Sequence, residues 1–144
     1  MRQFVSVILV KPDGSVLSQH RDNIPTILGP DTWCTPGGAL EPTDLSLKYG
    51  AARELKEETG IIAGNWDKIM EVEMSASVIK SPAHIFIARQ LKFEDQNLDH
   101  DEEISLVKIS LDEAIEKVVS GEIKTGSTII GILMIDKLRR EGKL

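Results

Sequence analysis

Residues 36–61 read PGGALEPTDLSLKYGAARELKEETGI, with Pro36-Gly37-Gly38 leading into a segment that ends Arg53-Glu54-Leu55-Lys56-Glu57-Glu58-Thr59-Gly60-Ile61. In a helix, residues three and four apart share a face, so Glu54, Glu57 and Glu58 stand side by side. Each like-charge pair costs about 0.2–0.5 kcal/mol. Gly60 is a natural helix stop, which puts the three acids in the last turns, where the macrodipole is already negative and cations are favoured. Such a face is ordinarily solvated surface. Here the double glycine, Arg53 and the position at a helix end argue for a bound cation. A hard divalent ion such as Mg²⁺ takes a few carboxylate oxygens plus waters and bridges protein to phosphate.

Working outward, Leu47, Ala51 and Leu55 repeat every four residues and Ala52 widens the stripe, so the helix is amphipathic, with Thr43 or Asp44 as its cap. Upstream, Phe4 to Val10 is rich in β-branched residues and stops at Pro12-Asp13-Gly14, a turn from which Ser15 to His20 returns as a second strand. Residues 21–32 read as loop, and 33–38 enter the motif through backbone that glycine tolerates best. Downstream, Glu71 to Ser77 and Ala83 to Leu91 suit two strands joined across Lys80-Ser81-Pro82. An acidic loop, 94–103, precedes a strand at Ile104 to Ile109. Ser110 caps a helix to about Ser120, stopped by Gly121. A last helix, 127–141, carries Ile129, Ile130, Leu133, Met134 and Leu138 and ends in basic residues. Strands, a helix, more strands and two late helices predict an α/β chain of α+β type, its sheet sandwiched by helices.

The 144 residues suit a single domain over 1–144. The 41% apolar and 28% charged residues argue against disorder. The formal net charge of −6 disfavours nucleic acid polymers and anionic membranes, both of which need a basic face. Cys34 is the only cysteine. No internal disulfide can form, and a reducing, cytoplasmic compartment is expected. Neither a signal peptide at the start nor an apolar run long enough to span a membrane is expected.

The order Gly38, an acid, Arg53-Glu54-Leu55, Glu57-Glu58, Gly60 and Ile61 resembles the signature box of the Nudix hydrolases. The resemblance implies the family's mixed sheet packed between helices, and a metal-dependent pyrophosphatase that uses water to cleave a nucleoside diphosphate derivative such as ADP-ribose or a nucleotide sugar. It also implies Glu57, Glu54 and Arg53 as the catalytic group, with Glu57 or Glu54 as general base and an acid of the 99–103 loop as rival. The Gly38 carbonyl, Glu54, Glu57, Glu58 and, from the acidic loop, Glu103 (or Glu102) would hold Mg²⁺, with Mn²⁺ as substitute. The box departs from the family's pattern in carrying one extra residue and a shorter acid: Asp44 stands where a glutamate is usual, nine residues before Arg53 rather than eight. Either Asp44 or Glu41 would orient the arginine.

Two further residues are candidates for substrate contact. Arg21 offers a planar fork for phosphate, and Gly37 offers close backbone approach. Trp33 and Phe86 could stack a base, although large aromatics usually belong to the core. A small-molecule nucleotide is the expected partner, with a homodimer open. The alternative activities are pyrophosphate removal from a nucleoside triphosphate, to which a compact chain is suited, and a non-catalytic nucleotide sensor, which would be expected to lose box acids that are all present here.

Overall fold

The computed structural model describes residues 2–21, 32–73, 80–94 and 104–144. Its elements are β1 (Phe4–Val10), β2 (Val16–Arg21), β3 (Trp33–Cys34), β4 (Gly37–Ala39), α1 (Leu47–Thr59), β5 (Ile61–Glu73), β6 (Pro82–Phe93), β7 (Ile104–Ile109), α2 (Leu111–Val119) and α3 (Gly126–Arg140).

The centre of the sheet is β1, whose apolar run is buried on both faces, as a strand covered by helices requires. Val5, Val7 and Leu9 pack with Ala51 and Leu55 of α1. Ile8 and Val10 pack with Leu111 and Ala114 of α2 and Ile132 and Ile135 of α3. The result is three layers, with α1 on one side of a mixed sheet and α2 and α3 on the other.

β1 runs parallel to β6, from Phe4 opposite Ala83 to Leu9 opposite Ala88. On its other edge it is shared. Leu9 and Val10 pair with β2, whereas Phe4, Val5 and Ser6 pair with β4. β2 diverges likewise, carrying β3 at Gln19 and His20 and β7 along its length. A fork therefore opens between β1 and β2, bridged by residues 33–39. Val7 N–H donates to Pro36 O across it at 2.8 Å, and the Gly37-Gly38 pair sits in its mouth.

Three expectations need correction. The N-cap of α1 is Ser46, whose Oγ accepts from Tyr49 N–H. Thr43 and Asp44 do not cap it, because both Asp44 oxygens are taken by Arg53 and the Glu41 N–H. β5 begins at Ile61, ten residues before the predicted start at Glu71; its Gly64-Asn65 and Asp67-Lys68 hide the alternation, and a register shift falls between Lys68 and Met70. The predicted end of that strand, 74–77, lies outside the described residues. In α3 the fully buried line is Thr128, Gly131, Ile132 and Ile135. Ile129, Ile130 and Leu138 only flank it, and Leu133 is exposed. The reason is Gly131, which lets Ile8 pack directly onto the helix backbone.

Candidate active site at the end of helix α1

The inward face of α1, Gly50, Ala51, Leu55 and Thr59, is buried. Glu54 and Glu58 lie beside that face and are carried towards the fork, while Glu57 lies further round and is 59% exposed. Gly60, with φ 73°, ends the helix in the left-handed conformation that glycine adopts without strain.

Arg53 ties the helix to the loop before it. Its Nε and Nη2 donate to Asp44 Oδ1 and Oδ2, both at 2.9 Å, and Nη2 also donates to Ala39 O at 3.2 Å. The Asp44 carboxylate is 2% exposed. Two charge-assisted hydrogen bonds from the guanidinium, with a third from the Glu41 N–H, hold its pKa down to about 2. Glu41 stands 3.5 Å from Arg53 and is largely exposed. Of the two candidates for orienting the arginine, Asp44 is the one that grips it. Asp44→Asn is therefore expected to lower catalytic activity much more than Glu41→Gln, and circular dichroism with melting curves on both variants would show whether the loss comes through unfolding. Equal losses would contradict the assignment.

The remaining donor of Arg53, Nη1, reaches Glu54 at 3.1 Å and Glu57 at 3.2 Å. Glu58 turns the other way. Its Oε2 accepts from Gly37 N–H at 3.1 Å and from Gln19 Nε2 at 3.4 Å. Burial raises the pKa of Glu54 against the pull of Arg53. Burial, with the Glu54 charge adding to it, pushes Glu58 up to about 7, although the Gly37 N–H, Gln19 and Arg21 pull it down. Two neighbouring carboxylates thus resist ionisation, chiefly because they are buried, and Arg53 is divided among four acids, Glu41, Asp44, Glu54 and Glu57.

Among the described residues no three acids, imidazoles or thiols converge closely enough to hold a cation by themselves. Arg53 draws Glu54 and Glu57 to one side while Gly37 draws Glu58 to the other. The donor set is nonetheless all hard oxygen, which suits Mg²⁺ or Mn²⁺, and Mg²⁺ ordinarily takes one or two protein carboxylates and fills its remaining positions with water and phosphate.

The raised pKa of Glu58 has a consequence for stability. The folded chain keeps this proton up to about pH 7, against an ordinary value of 4.5, so its contribution is full below 4.5 and is lost as pH rises through 7. His84, whose pKa burial lowers, acts in the opposite sense as pH falls. The diagnostic is therefore a difference. Without divalent ions, Glu58→Gln is expected to raise the melting temperature relative to the parent at about pH 8 and to have little effect at about pH 5. A parent-minus-variant difference that does not change with pH would remove Glu58 as the titrating group.

Gly38 has Glu54 packed against it: a Cβ there would lie 2.5 Å from the Glu54 carboxylate. Gly37, expected to face substrate, spends its N–H on Glu58. Arg21 closes β2, with its N–H on Thr32 O at 2.9 Å, and its charge is felt by Glu58 and Cys34. Glu103 and Glu102 lie outside the described residues. Trp33 and Phe86 are core residues rather than open stacking surfaces, at 9% and 4% exposed. The Trp33 Nε1–H donates to Glu122, and Phe86 meets Trp66 edge-on. Cys34 is half-buried and its thiol pKa is raised by burial, a poor setting for a nucleophile. Sequence reasoning missed Gln19, which is 2% exposed and touches both Glu58 and Cys34. The available signal was a long polar side chain two residues after Leu17, on the buried face of β2.

Residues 2–126 match the model of the NUDIX domain family, and the chain belongs to that family. It is 33% identical over 99 residues to an ADP-ribose pyrophosphatase of Bacillus subtilis, covering 67% of this chain and 53% of that protein. To a GDP-mannose pyrophosphatase of Salmonella paratyphi B it is 36% identical over 81 residues, covering 54% of this chain and 42% of the relative. The chain thus spans about half the length of these curated relatives. A crystal structure described as an ADP compounds hydrolase superposes with a TM-score of 0.79 at 20% identity, covering 99% of this chain and 76% of the other, which establishes the shared fold. Among the described residues no helix is long and apolar enough to cross a membrane.

Proposed function

We propose that the chain hydrolyses the phosphoanhydride of a nucleoside diphosphate joined to a sugar, with ADP-ribose or a comparable nucleotide sugar as substrate and Mg²⁺, or Mn²⁺ in its place, at the end of α1. The observation that carries this reading is the under-neutralised carboxylate cluster, with Glu54 and Glu58 seated against Gly38 and Gly37 and Arg53 already engaged by Asp44. The ADP-ribose and GDP-mannose pyrophosphatases among the relatives support the choice of substrate class.

The reaction adds one water to one phosphorus and breaks that phosphorus's bond to the bridging oxygen, giving a nucleoside monophosphate and a sugar phosphate. Bound Mg²⁺ supplies charge neutralisation to the phosphoryl group. Glu58 and Glu54, with the Gly38 carbonyl, are its proposed protein ligands, and Glu57 joins them or takes the proton of the attacking water. Glu57 suits proton transfer because it is the most solvent-reachable of the three acids. Arg53 acts as a positioning residue, fixing Glu54 and Glu57 from within the helix while Asp44 fixes the guanidinium.

The test is product analysis on ADP-ribose with Mg²⁺. The expected products are AMP and ribose 5-phosphate. Turnover of nucleoside triphosphates alone, to monophosphate and pyrophosphate, would overturn the substrate assignment. Binding without turnover of any nucleotide would make the chain a sensor.

A further inference from the structure

Helix α3 takes no part in the proposed hydrolysis, yet it holds the segment that carries the two glycines. Each residue from Trp33 to Gly37 is fixed from outside that segment. Trp33 O accepts from Thr125 Oγ1 at 3.3 Å, Cys34 O from Ser18 Oγ at 3.1 Å and Pro36 O from Val7 N–H at 2.8 Å. Gly37 N–H ends on Glu58 at 3.1 Å. Between them, Thr35 N–H donates to Thr128 Oγ1 at 3.2 Å. The Thr35 hydroxyl is held in turn between Thr128 Oγ1 at 3.2 Å and Ser6 Oγ at 2.7 Å.

Thr128 is 0% exposed, and a hydroxyl so enclosed costs free energy unless it is hydrogen-bonded. Its placement follows from the helix. Thr128, Gly131, Ile132 and Ile135 form one buried line, and Gly131 brings the α3 backbone onto Ile8 of β1, which seats the hydroxyl one turn earlier against Thr35. An apolar side chain would fill the same line, so packing alone does not account for an oxygen there. Thr35 does account for it, and Thr35 stands two residues before the N–H that Glu58 accepts. We infer that Thr128 is a positioning residue for the hydrolysis: from α3 it pins Thr35, so that Gly37 N–H stays on Glu58 and Gly38 stays against Glu54. The inference rests on the proposed nucleotide-sugar hydrolysis at these carboxylates. Linkage makes the effect reciprocal: a cation bound by the positioned acids strengthens the contact between Thr35 and Thr128 by the factor that the contact lends to the cation.

Thr128→Val keeps the branched shape and removes the oxygen, leaving Thr35 N–H without its acceptor. In this variant kcat for ADP-ribose is expected to fall about tenfold or more while KM stays within about threefold, because the geometry of the carboxylates is lost and no contact with substrate is. Mn²⁺ affinity, read by calorimetry without substrate, is expected to weaken roughly tenfold. Thr128→Ser returns the oxygen and is expected to restore both quantities to within about threefold of the parent. Ile135→Val removes a methyl group from the same buried line two turns away, and is expected to lower the melting temperature without the kinetic change. A folded Thr128→Val that keeps kcat and Mn²⁺ affinity overturns the inference, as do equal losses in Thr128→Ser or in Ile135→Val. If the parent takes up Mn²⁺ but turns over no nucleotide sugar, the substrate assignment fails and the Mn²⁺ affinities alone decide the inference. A parent that does neither overturns the proposed function and the inference with it. Should Thr128→Val not fold, hydrogen exchange in the parent is the deciding measurement. Adding Mg²⁺ with AMP is expected to slow exchange of the Thr35 amide by about threefold or more, and an unchanged rate overturns the inference.

Discussion

Glu57→Gln is expected to lower kcat for ADP-ribose by about 10²–10⁴-fold, the range over which a positioned general base contributes, while shifting the melting temperature by no more than about 2 °C. The small stability change follows from position. Glu57 is 59% exposed and its one described partner is Arg53 at 3.2 Å, and surface ion pairs of this kind contribute little. Glutamine keeps the size and the hydrogen-bonding carbonyl but can neither take a proton from water nor carry charge to a cation. Steady-state kinetics at saturating Mg²⁺ give the first number and a thermal melt the second. Activity within threefold of the parent would remove Glu57 from the reaction and leave Glu54 as the remaining candidate within the box for the proton.

Gly37→Ala should be the most damaging change that adds a single methyl group. A Cβ at Gly37 would run into the carbonyl oxygen of Val5, which belongs to the central strand and cannot rotate aside as a side chain could. β4 would have to leave its register with β1, and Glu58 would lose its N–H donor in the same movement. Overpacking of this kind costs about 3 kcal/mol, or a fall in melting temperature of roughly 10 °C for a chain of this size. Activity should be lost well below the new melting point, because the carboxylate cluster is built against this turn. A variant that melts within about 2 °C of the parent would show that β4 can yield, and that the fork is less rigid than its pairing indicates.

The elements legible in the sequence were those whose side chains all answer to one layer. β1 alternates between two helical faces with Ser6 as its one polar residue, Gly14 and Gly60 take the positive φ that their turns demand, and Ser110 caps α2 where its spacing placed it. The failures share a physical origin in contacts made across the sequence. Asp44 reads as a local cap but is bound by an arginine nine residues away, which leaves the capping to Ser46. The first half of β5 gave no strand signal because its polar residues face outward along the sheet edge, and only pairing with β6 makes it a strand. The stripe on α3 is displaced because Gly131 lets β1 approach the helix more closely than apolar spacing alone anticipates.

The candidate site divides in the same way. The helical acids follow from periodicity, since 54, 57 and 58 must share a face. Their separation into two groups does not, because it depends on Arg53 pulling one way and the Gly37 N–H the other. Gln19 reaches Glu58 from a strand 39 positions earlier in the chain, a proximity set by the tertiary fold alone.

The central claim is that the crowded end of α1 is a divalent-cation site serving a diphosphate. Its most direct test is calorimetric titration of Mn²⁺ into the parent chain and into Glu58→Gln, each with and without AMP present. The account predicts saturable uptake by the parent that strengthens with the nucleotide and as pH rises through about 7, and at least a tenfold weaker affinity in the variant. Identical isotherms for parent and variant, or no uptake by the parent under either condition, would contradict it.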